Sequence, residues 1–374
     1  MENPSISGGL NLLISGGGTG GHIYPGIAVA QGMVQMVSNL KIGYVGKKGG
    51  LEERIMNNCG LPIQFYGIEA QGLSRKIFVS NFVAVYKNYI GYKQASQIIT
   101  EFEPAVVFGT GGYVSASTVY AAQRKRIPTL ILEQNLIPGL ANKFLGKKAT
   151  AVALSFPETA SYFPKENVVV TGTPVRMQMQ KIDKLTVRQA FGLESNIFTV
   201  LVFGGSQGAT AINRAVISAL KLLEIQNITL QVILQTGQRT YNEIVMQAKN
   251  LKNKIVILPY IDDMLKAYAA ADLVISRSGA ISIAEITVCG LPAILIPYPF
   301  ATANHQEKNA RILEQNGAAQ VILESELTAG KLAEAVAGFI RQPQRVSAMA
   351  EKSQQLGKPE ATTAICNLMQ KLAV

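Results

Sequence analysis

Residues 16–21 hold five glycines interrupted only by Thr19, and His22 follows at once. Glycine lets a backbone come close to an oxyanion, and amides at a helix N-terminus can then point at it. A histidine at such a helix start sits among amide dipoles that favour its neutral form, so a ring nitrogen can accept a proton; a helix-capping role is the alternative. The run also fits G-x-G-x-x-G, the dinucleotide fingerprint. That motif needs an acidic residue ~20 positions later to hold a ribose. Residues 37–46 contain none, the first acids after the loop being Glu52 and Glu53, and Lys47 and Lys48 leave only an NADP variant open.

The glycine device recurs at Gly109-Thr110-Gly111-Gly112-Tyr113, at Gly204-Gly205-Ser206-Gln207-Gly208 and, more weakly, at Ser276-Arg277-Ser278-Gly279. Loops of this kind repeated along one chain imply several phosphorylated groups, or one ligand held between domains; simple tight turns are the bland alternative. None carries the G-K-[ST] of a P-loop, which disfavours nucleotide hydrolysis. Glu285 lies six residues after Gly279 on a helix expected to begin near Ala280. A carboxylate there could accept two hydrogen bonds from a ribose diol while the helix N-terminus faces the attached phosphates; a solvated helix glutamate is the other reading.

Positioning these loops requires strands that end in glycine. Short β-branched runs at Leu10–Ser15, Ala105–Phe108, Thr129–Leu132, Phe198–Phe203, Leu230–Leu234, Leu273–Ser276 and Ala293–Ile296 alternate with helix-length segments, the pattern of parallel strands with crossover helices in an α/β architecture. The junctions at Gly16 and Gly204 look like counterparts at the start of two half-chains. A polar linker is expected from Gln178 to Arg188, dividing the chain into domains 1–176 and 177–357. A last helix within 358–374, opened by Pro359 and carrying Ala361, Ile365, Met369 and Leu372 on one stripe, is expected to pack back on the first domain.

At 374 residues the chain exceeds the ~250–300 that one core serves, which fits two domains. With 48% hydrophobic and 16% charged residues it is globular, and its net charge of +11 favours anionic partners. Cys59, Cys289 and Cys366 form no C-x-x-C pair, and His22 and His305 are the only histidines, so no metal site is expected and a reducing cytoplasm fits. Glu2 and the glycines break any reading of the uncharged stretch at residues 3–40 as a signal or span. A basic nucleic-acid-binding protein is the alternative class, but the chain has no tryptophan for stacking and no recognisable reading motif. Residues 75–93 place Phe78, Phe82, Tyr86 and Tyr89 at helical spacing among Arg75, Lys76, Lys87 and Lys93, with Arg124-Lys125-Arg126 and Lys147-Lys148 adding charge in the same half. This reads as an amphipathic face for an anionic membrane surface, with core packing as the alternative.

Together, Gly17-Gly18-Thr19-Gly20-Gly21-His22, Gly111-Gly112-Tyr113, Glu133-Gln134-Asn135, Gly204 to Gly208, and Arg277-Ser278-Gly279-Ala280 with Glu285 resemble the MurG family, in one order from about residue 10 to the C-terminus. These bacterial glycosyltransferases add N-acetylglucosamine to undecaprenyl-linked muramyl-pentapeptide. The resemblance implies a GT-B fold, two Rossmann-like domains with parallel sheets facing an interdomain cleft. It implies inverting transfer from UDP-N-acetylglucosamine to lipid I, giving lipid II for peptidoglycan and cell-wall synthesis, without a metal or other cofactor. A sister GT-B enzyme with another lipid acceptor is the neighbouring alternative. The implied location is the cytoplasmic face of the plasma membrane, as a peripheral protein, with cell-wall or division proteins as further partners and no nucleic acid.

Carried over by motif, Thr19, Gly20, Gly21, Asn135, Arg176, Ser206, Ile261 and Gln306 would line the donor site. Ala280, Ile281, Ser282, Ile283, Ala284 and Glu285 would run along the sugar nucleotide, with the Ile261 backbone reading uracil, Ser206 touching the diphosphate and Glu285 holding the ribose. His22 would be the general base, and Tyr113 and Asn309 fall at positions the family keeps for function. Thr173 and Asn304 stand where the family commonly has asparagine and aspartate.

Overall fold

Strands whose residues are apolar along their whole length can be buried on both faces, and that is how the central strands of this chain are used. Leu12 and Ile14 point to one face of their sheet and Leu13 to the other, all fully buried. The computed structural model describes residues 9–72, 78–175, 182–205 and 207–373, with the backbone alone for 78–81. They fall into two units, Met1–Arg176 with Pro359–Val374, and Met177–Lys358.

The first unit contains strands β1 (Leu10–Gly16), β2 (Leu40–Lys47), β3 (Ile63–Ile68), β4 (Val106–Gly111), β5 (Thr129–Glu133), β6 (Ala151–Leu154) and β7 (Val168–Val170). Helices α1 (Gly20–Met36), α2 (Leu51–Asn58), α3 (Phe78–Phe102), α4 (Gly112–Arg124) and α5 (Leu140–Leu145) connect them. All pairings are parallel, in the order β3-β2-β1-β4-β5-β6-β7. The second unit holds β8 (Thr199–Phe203), β9 (Gln231–Gln235), β10 (Lys254–Leu258), β11 (Leu273–Ser276), β12 (Ala293–Leu295) and β13 (Ala319–Val321), in the parallel order β10-β9-β8-β11-β12-β13. Its helices are α6 (Lys184–Ala190), α7 (Thr210–Ile225), α8 (Tyr241–Ala248), α9 (Met264–Ala270), α10 (Ala280–Val288), α11 (His305–Gln315), α12 (Ala329–Arg341) and α13 (Pro343–Leu356).

In each sheet the chain winds outward from its first strand and then restarts on that strand's other side, so the order reverses between β1 and β4 and between β8 and β11. Open parallel sheets bind ligands outside the carboxyl ends of the strands at such a reversal. The glycine loops leave β1, β4, β8 and β11, the four strands that flank the two reversals.

Helix α14 (Ala361–Leu372) closes the chain on the first unit: Ala361, Ile365 and Met369 are buried, and Leu372 packs at the edge of the same cluster. Gly32 of α1 permits the approach, since a Cβ there would stand 2.9 Å from Cys366 Sγ. The polar run expected as a linker ends differently. Lys184–Ala190 is helical, and Arg188 is buried, donating to Asp272 Oδ2 at 2.5 Å and to the Ala270 carbonyl at 3.0 Å. A paired, hydrogen-bonded guanidinium is the form in which arginine tolerates such burial. No helix among the described residues is long and apolar enough to cross a membrane.

Candidate active site

At the reversal of the first sheet, β1 runs into Gly17 and Gly18, the latter at φ +87°, and Thr19 leads into α1. His22 is the third residue of that helix and not its cap. Its Nδ1 lies 3.1 Å from the Thr110 carbonyl, and Thr110 Oγ1 donates to the His22 carbonyl at 2.5 Å. A carbonyl can only accept, so in the neutral ring Nδ1 carries the proton and Nε2 the lone pair. Gln134 Nε2 donates to the same Thr110 carbonyl at 3.0 Å, which fixes that oxygen from a second side. The ring lies against the second glycine loop: a Cβ on Gly111, which has φ +109°, would stand 2.6 Å from Nδ1. Only glycine leaves room for the imidazole there.

The first loop differs from the phosphate cradle its composition suggests. Buried Glu52, at the start of α2, accepts from the Gly18 amide at 2.5 Å, and a Cβ on Gly17 would collide with its carboxylate. The Glu52 carboxylate already takes this amide, and the loop leads directly into the first turn of α1, which carries His22. Tyr113 lies over Gly18, and burial, then the Glu52 charge, raises its phenol above the ordinary range. Thr19 is exposed and Gly20 and Gly21 are half-buried in the first turn of α1, where helix amides lack intrahelical partners.

Asn135 belongs to a loop organised by Glu133. That buried carboxylate accepts from the Asn135 amide at 3.0 Å and side chain at 3.3 Å, from the Gly139 amide at 3.1 Å and from Asn142 Nδ2 at 2.9 Å. Burial pushes its pKa up, and the four N–H donors oppose that rise. Thr173, the departure from the family pattern, shares a 2.5 Å hydrogen bond with Ser155 Oγ.

In the second unit the loop after β8 turns through Gly205 at φ +93° and Gly208 at φ +74°, and the Gly208 position is pressed against the Thr236 carbonyl so that a Cβ would lie 1.8 Å from it. The Ile261 side chain is core, and its amide donates to Gln235 Oε1 at 2.8 Å. Ile283 is likewise a core side chain, because α10 turns that position inward; Ala280, Ile281, Ser282, Ala284 and Glu285 remain partly exposed.

Glu285 is neither simply solvated nor a carboxylate with both oxygens unengaged by the protein. The buried Tyr268 phenol donates to its Oε2 at 2.9 Å, and the Tyr268 ring packs edge-on against Phe203, the last residue of β8. Burial, then the Glu285 charge, drives the Tyr268 phenol well up, so it stays a donor. Arg277 is buried, bonded to the Ile296 and Pro297 carbonyls and to Glu324. It therefore holds the loop after β12 in place. Ser278 Oγ donates to the Gln306 carbonyl at 2.8 Å, and Gln306 Oε1 accepts from the Tyr298 amide at 3.0 Å, which turns the Gln306 side chain toward that loop. Asn304 is left-handed and bonds Glu307 through Nδ2 at 2.6 Å. Asn309 is fully buried in α11, within the wall rather than on its surface. Arg75, Lys76, Arg176 and Ser206 lie outside the described residues, as does the side chain of Phe78. Sequence reasoning missed Glu52, Gln134, Gln235 and Tyr268, which act on the site through other residues. Gln134 sits inside a motif the sequence already displays, whereas the rest lie outside every glycine run.

On α3, Phe82 and Tyr86 are each 66% exposed, with Val85 and Tyr89 open beside them. Its other face is fixed: Asn88 bonds both the amide and the carbonyl of Gln71, and Gly91 meets the Glu69 carbonyl closely. Core packing of the aromatic stripe is excluded for Phe82, Tyr86 and Tyr89. Tyr92, Tyr120 and Phe144 form a chain of ring contacts at 5.5 and 6.4 Å that carries the apolar surface across α4 to α5, where Leu140 is 88% exposed.

Residues 12–154 match the glycosyltransferase family 28 N-terminal domain and residues 199–365 the glycosyltransferase family 28 C-terminal domain. The UDP-N-acetylglucosamine–N-acetylmuramyl-(pentapeptide) pyrophosphoryl-undecaprenol N-acetylglucosamine transferase of Desulforamulus reducens is 44% identical, over 97% of this chain and 99% of its own length. The Bacillus subtilis enzyme of the same name is 40% identical over 97% and 99%. Among solved structures, Acinetobacter baumannii MurG superposes with a TM-score of 0.77 at 30% identity, covering 97% of this chain and all of its own. A Neisseria meningitidis UDP-GlcNAc 2-epimerase bound to UDP-GlcNAc reaches 0.68 at 14% identity, over 97% and 100%, a likeness of fold alone.

Proposed function

This chain belongs to the family of UDP-N-acetylglucosamine–N-acetylmuramyl-(pentapeptide) pyrophosphoryl-undecaprenol N-acetylglucosamine transferases, and from that premise we propose that it transfers N-acetylglucosamine from UDP to lipid I, yielding lipid II and UDP. The observation that carries this reading is that the matched stretches, 12–154 and 199–365, contain all four glycine loops at the two sheet reversals.

We infer the following division of labour. The acceptor hydroxyl loses its proton to His22 Nε2, the nitrogen left basic by the Nδ1 contact with Thr110, and its oxygen attacks the anomeric carbon from the face opposite the diphosphate. The carbon–oxygen bond to UDP breaks, and the electron pair leaves with the diphosphate. That growing charge is met by the amides of the loop after β8 and by the N-terminus of α10, whose first turn holds no acidic residue to oppose it. The same donor set would serve without a divalent ion. Glu285, held by the Tyr268 phenol, takes the ribose, the Ile261 carbonyl meets uracil, and Ala280 to Ala284 line the sugar nucleotide. Arg176, Ser206, Thr19, Gly20, Gly21, Asn135 and Gln306 complete the donor site by motif; Tyr113 and Asn309 support it.

The apolar surface of α3, α4 and α5, bordered by Lys87, Lys93, Arg124, Lys143, Lys147 and Lys148, is the part that would rest on an anionic membrane, where a lipid-linked acceptor is held. With purified lipid I and radiolabelled UDP-N-acetylglucosamine, the expected product is lipid II. Label transferred only to a diacylglycerol, or to no lipid, would retire the assignment.

A further inference from the structure

The three adjacent strands β10, β9 and β8 end side by side, and the loops that follow the outer two are the ones assigned above to the base and to the diphosphate. Gln235 is the last residue of the middle strand and is almost fully buried. Its Nε2 donates to the Gly205 carbonyl at 2.9 Å, and its Oε1 accepts from the Ile261 amide at 2.8 Å. One planar amide thus ties the diphosphate loop to the base-reading backbone, with donor and acceptor each used once in the only orientation that satisfies both ends. The next residue locks the frame: the Thr236 amide donates to the Leu258 carbonyl at 2.9 Å, and Asn213 Nδ2 donates to the Thr236 carbonyl at 2.9 Å.

Resting on the donor-site reading, we propose that Gln235 is a positioning residue for the uridine diphosphate moiety and a determinant of base choice. It sets the spacing between the two loops. By occupying the Ile261 N–H it also leaves a carbonyl as the backbone partner for the base, and that group accepts from the N3–H of uracil but repels the N3 lone pair of cytosine. Leucine at 235 fills similar space but frees the Ile261 amide and unties the Gly205 loop.

The test is titration calorimetry of the full chain with UDP and with CDP. Gln235→Leu is expected to weaken UDP about tenfold, the size of one or two lost buried hydrogen bonds, while CDP changes much less, so the preference for UDP narrows. In turnover the KM for the donor rises and kcat stays within a few-fold. Gln235→Glu keeps the acceptor for Ile261 but turns an oxygen toward the Gly205 carbonyl; its UDP affinity relative to wild type is expected to be poor at pH 8 and to recover on acidification, when a protonated carboxyl again donates. That recovery is a readout open even if the leucine variant folds poorly. Wild-type UDP affinity in Gln235→Leu, or an equal loss for UDP and CDP, overturns the proposal while leaving the donor site intact. A wild-type chain that binds neither nucleotide removes the donor-site reading and this proposal with it.

Discussion

In the proposed base role, the imidazole of His22 is oriented by a backbone carbonyl. Thr110 O fixes the tautomer, Gln134 fixes Thr110 O, and Gly111 makes the space. Removing the ring should therefore act on turnover: His22→Ala is expected to lower kcat by about 10²- to 10⁴-fold with little change in donor affinity, whereas Glu285→Ala is expected to weaken UDP binding. Steady-state kinetics with a soluble acceptor separates the two, and unchanged turnover in His22→Ala would remove the base assignment. The cysteines supply a pH prediction. Burial pushes the Cys366 thiol up to about 12, and burial followed by the nearby Glu285 charge takes Cys289 to about 12 as well. At pH 8 the thiolate fraction of each is then about one in ten thousand, so iodoacetamide should spare both in the folded chain and label both after denaturation. A raised thiol pKa means the folded state keeps the proton that the unfolded chain gives up. The associated stability is present below pH 9 and is lost as pH climbs toward 12. Mass spectrometry that finds either thiol alkylated in the native protein would contradict this burial.

Helix α3 has one face held against the protein and one face exposed. Asn88, Gly91 and Ala95 bind it inward, while Phe82, Val85, Tyr86 and Tyr89 remain open. Replacing Phe82 and Tyr86 with serine should reduce sedimentation with vesicles containing phosphatidylglycerol, yet leave turnover of a soluble acceptor unchanged. Partitioning equal to wild type would discard the membrane-facing role. The aromatic spacing was legible in the sequence, but its burial was not, since a helical stripe of Phe and Tyr looks the same whether it meets a core or a solvent boundary. Strands divide in a similar way. Those that flank the reversals are buried, mostly apolar runs that end in or lead to a glycine loop and announce themselves. By contrast, β2 mixes Lys41, Gly43, Gly46 and Lys47 into its eight residues, and β7 and β13 have three residues each, too few to show a period. Arg188 illustrates the opposite failure: a charged residue in a polar run reads as linker until Asp272, far away in sequence, is seen to neutralise it.

Two sheets with the same winding place the glycine loops at the two reversals; the Gly18 amide is taken by Glu52, so in the proposed reaction the loop after β8 supplies the backbone amides for the diphosphate. If those amides and the α10 N-terminus carry the leaving-group charge, saturating EDTA should leave the transfer rate unchanged. Loss of activity that magnesium alone restores would transfer that role to a cation. The glycine runs, His22, the motif order and the α/β alternation belong to the sequence itself, because each depends on local backbone freedom or on a hydrophobic period that neighbours in the chain determine. The tertiary structure decided which amides remain available and which side chains aim the reacting groups. Glu52 reaches Gly18, Thr110 reaches His22, Tyr268 reaches Glu285 and Gln235 reaches both Gly205 and Ile261 across gaps of 17 to 88 residues. Contacts between residues so distant along the chain exist only after the strands have been ordered in the sheet, and no local pattern encodes them.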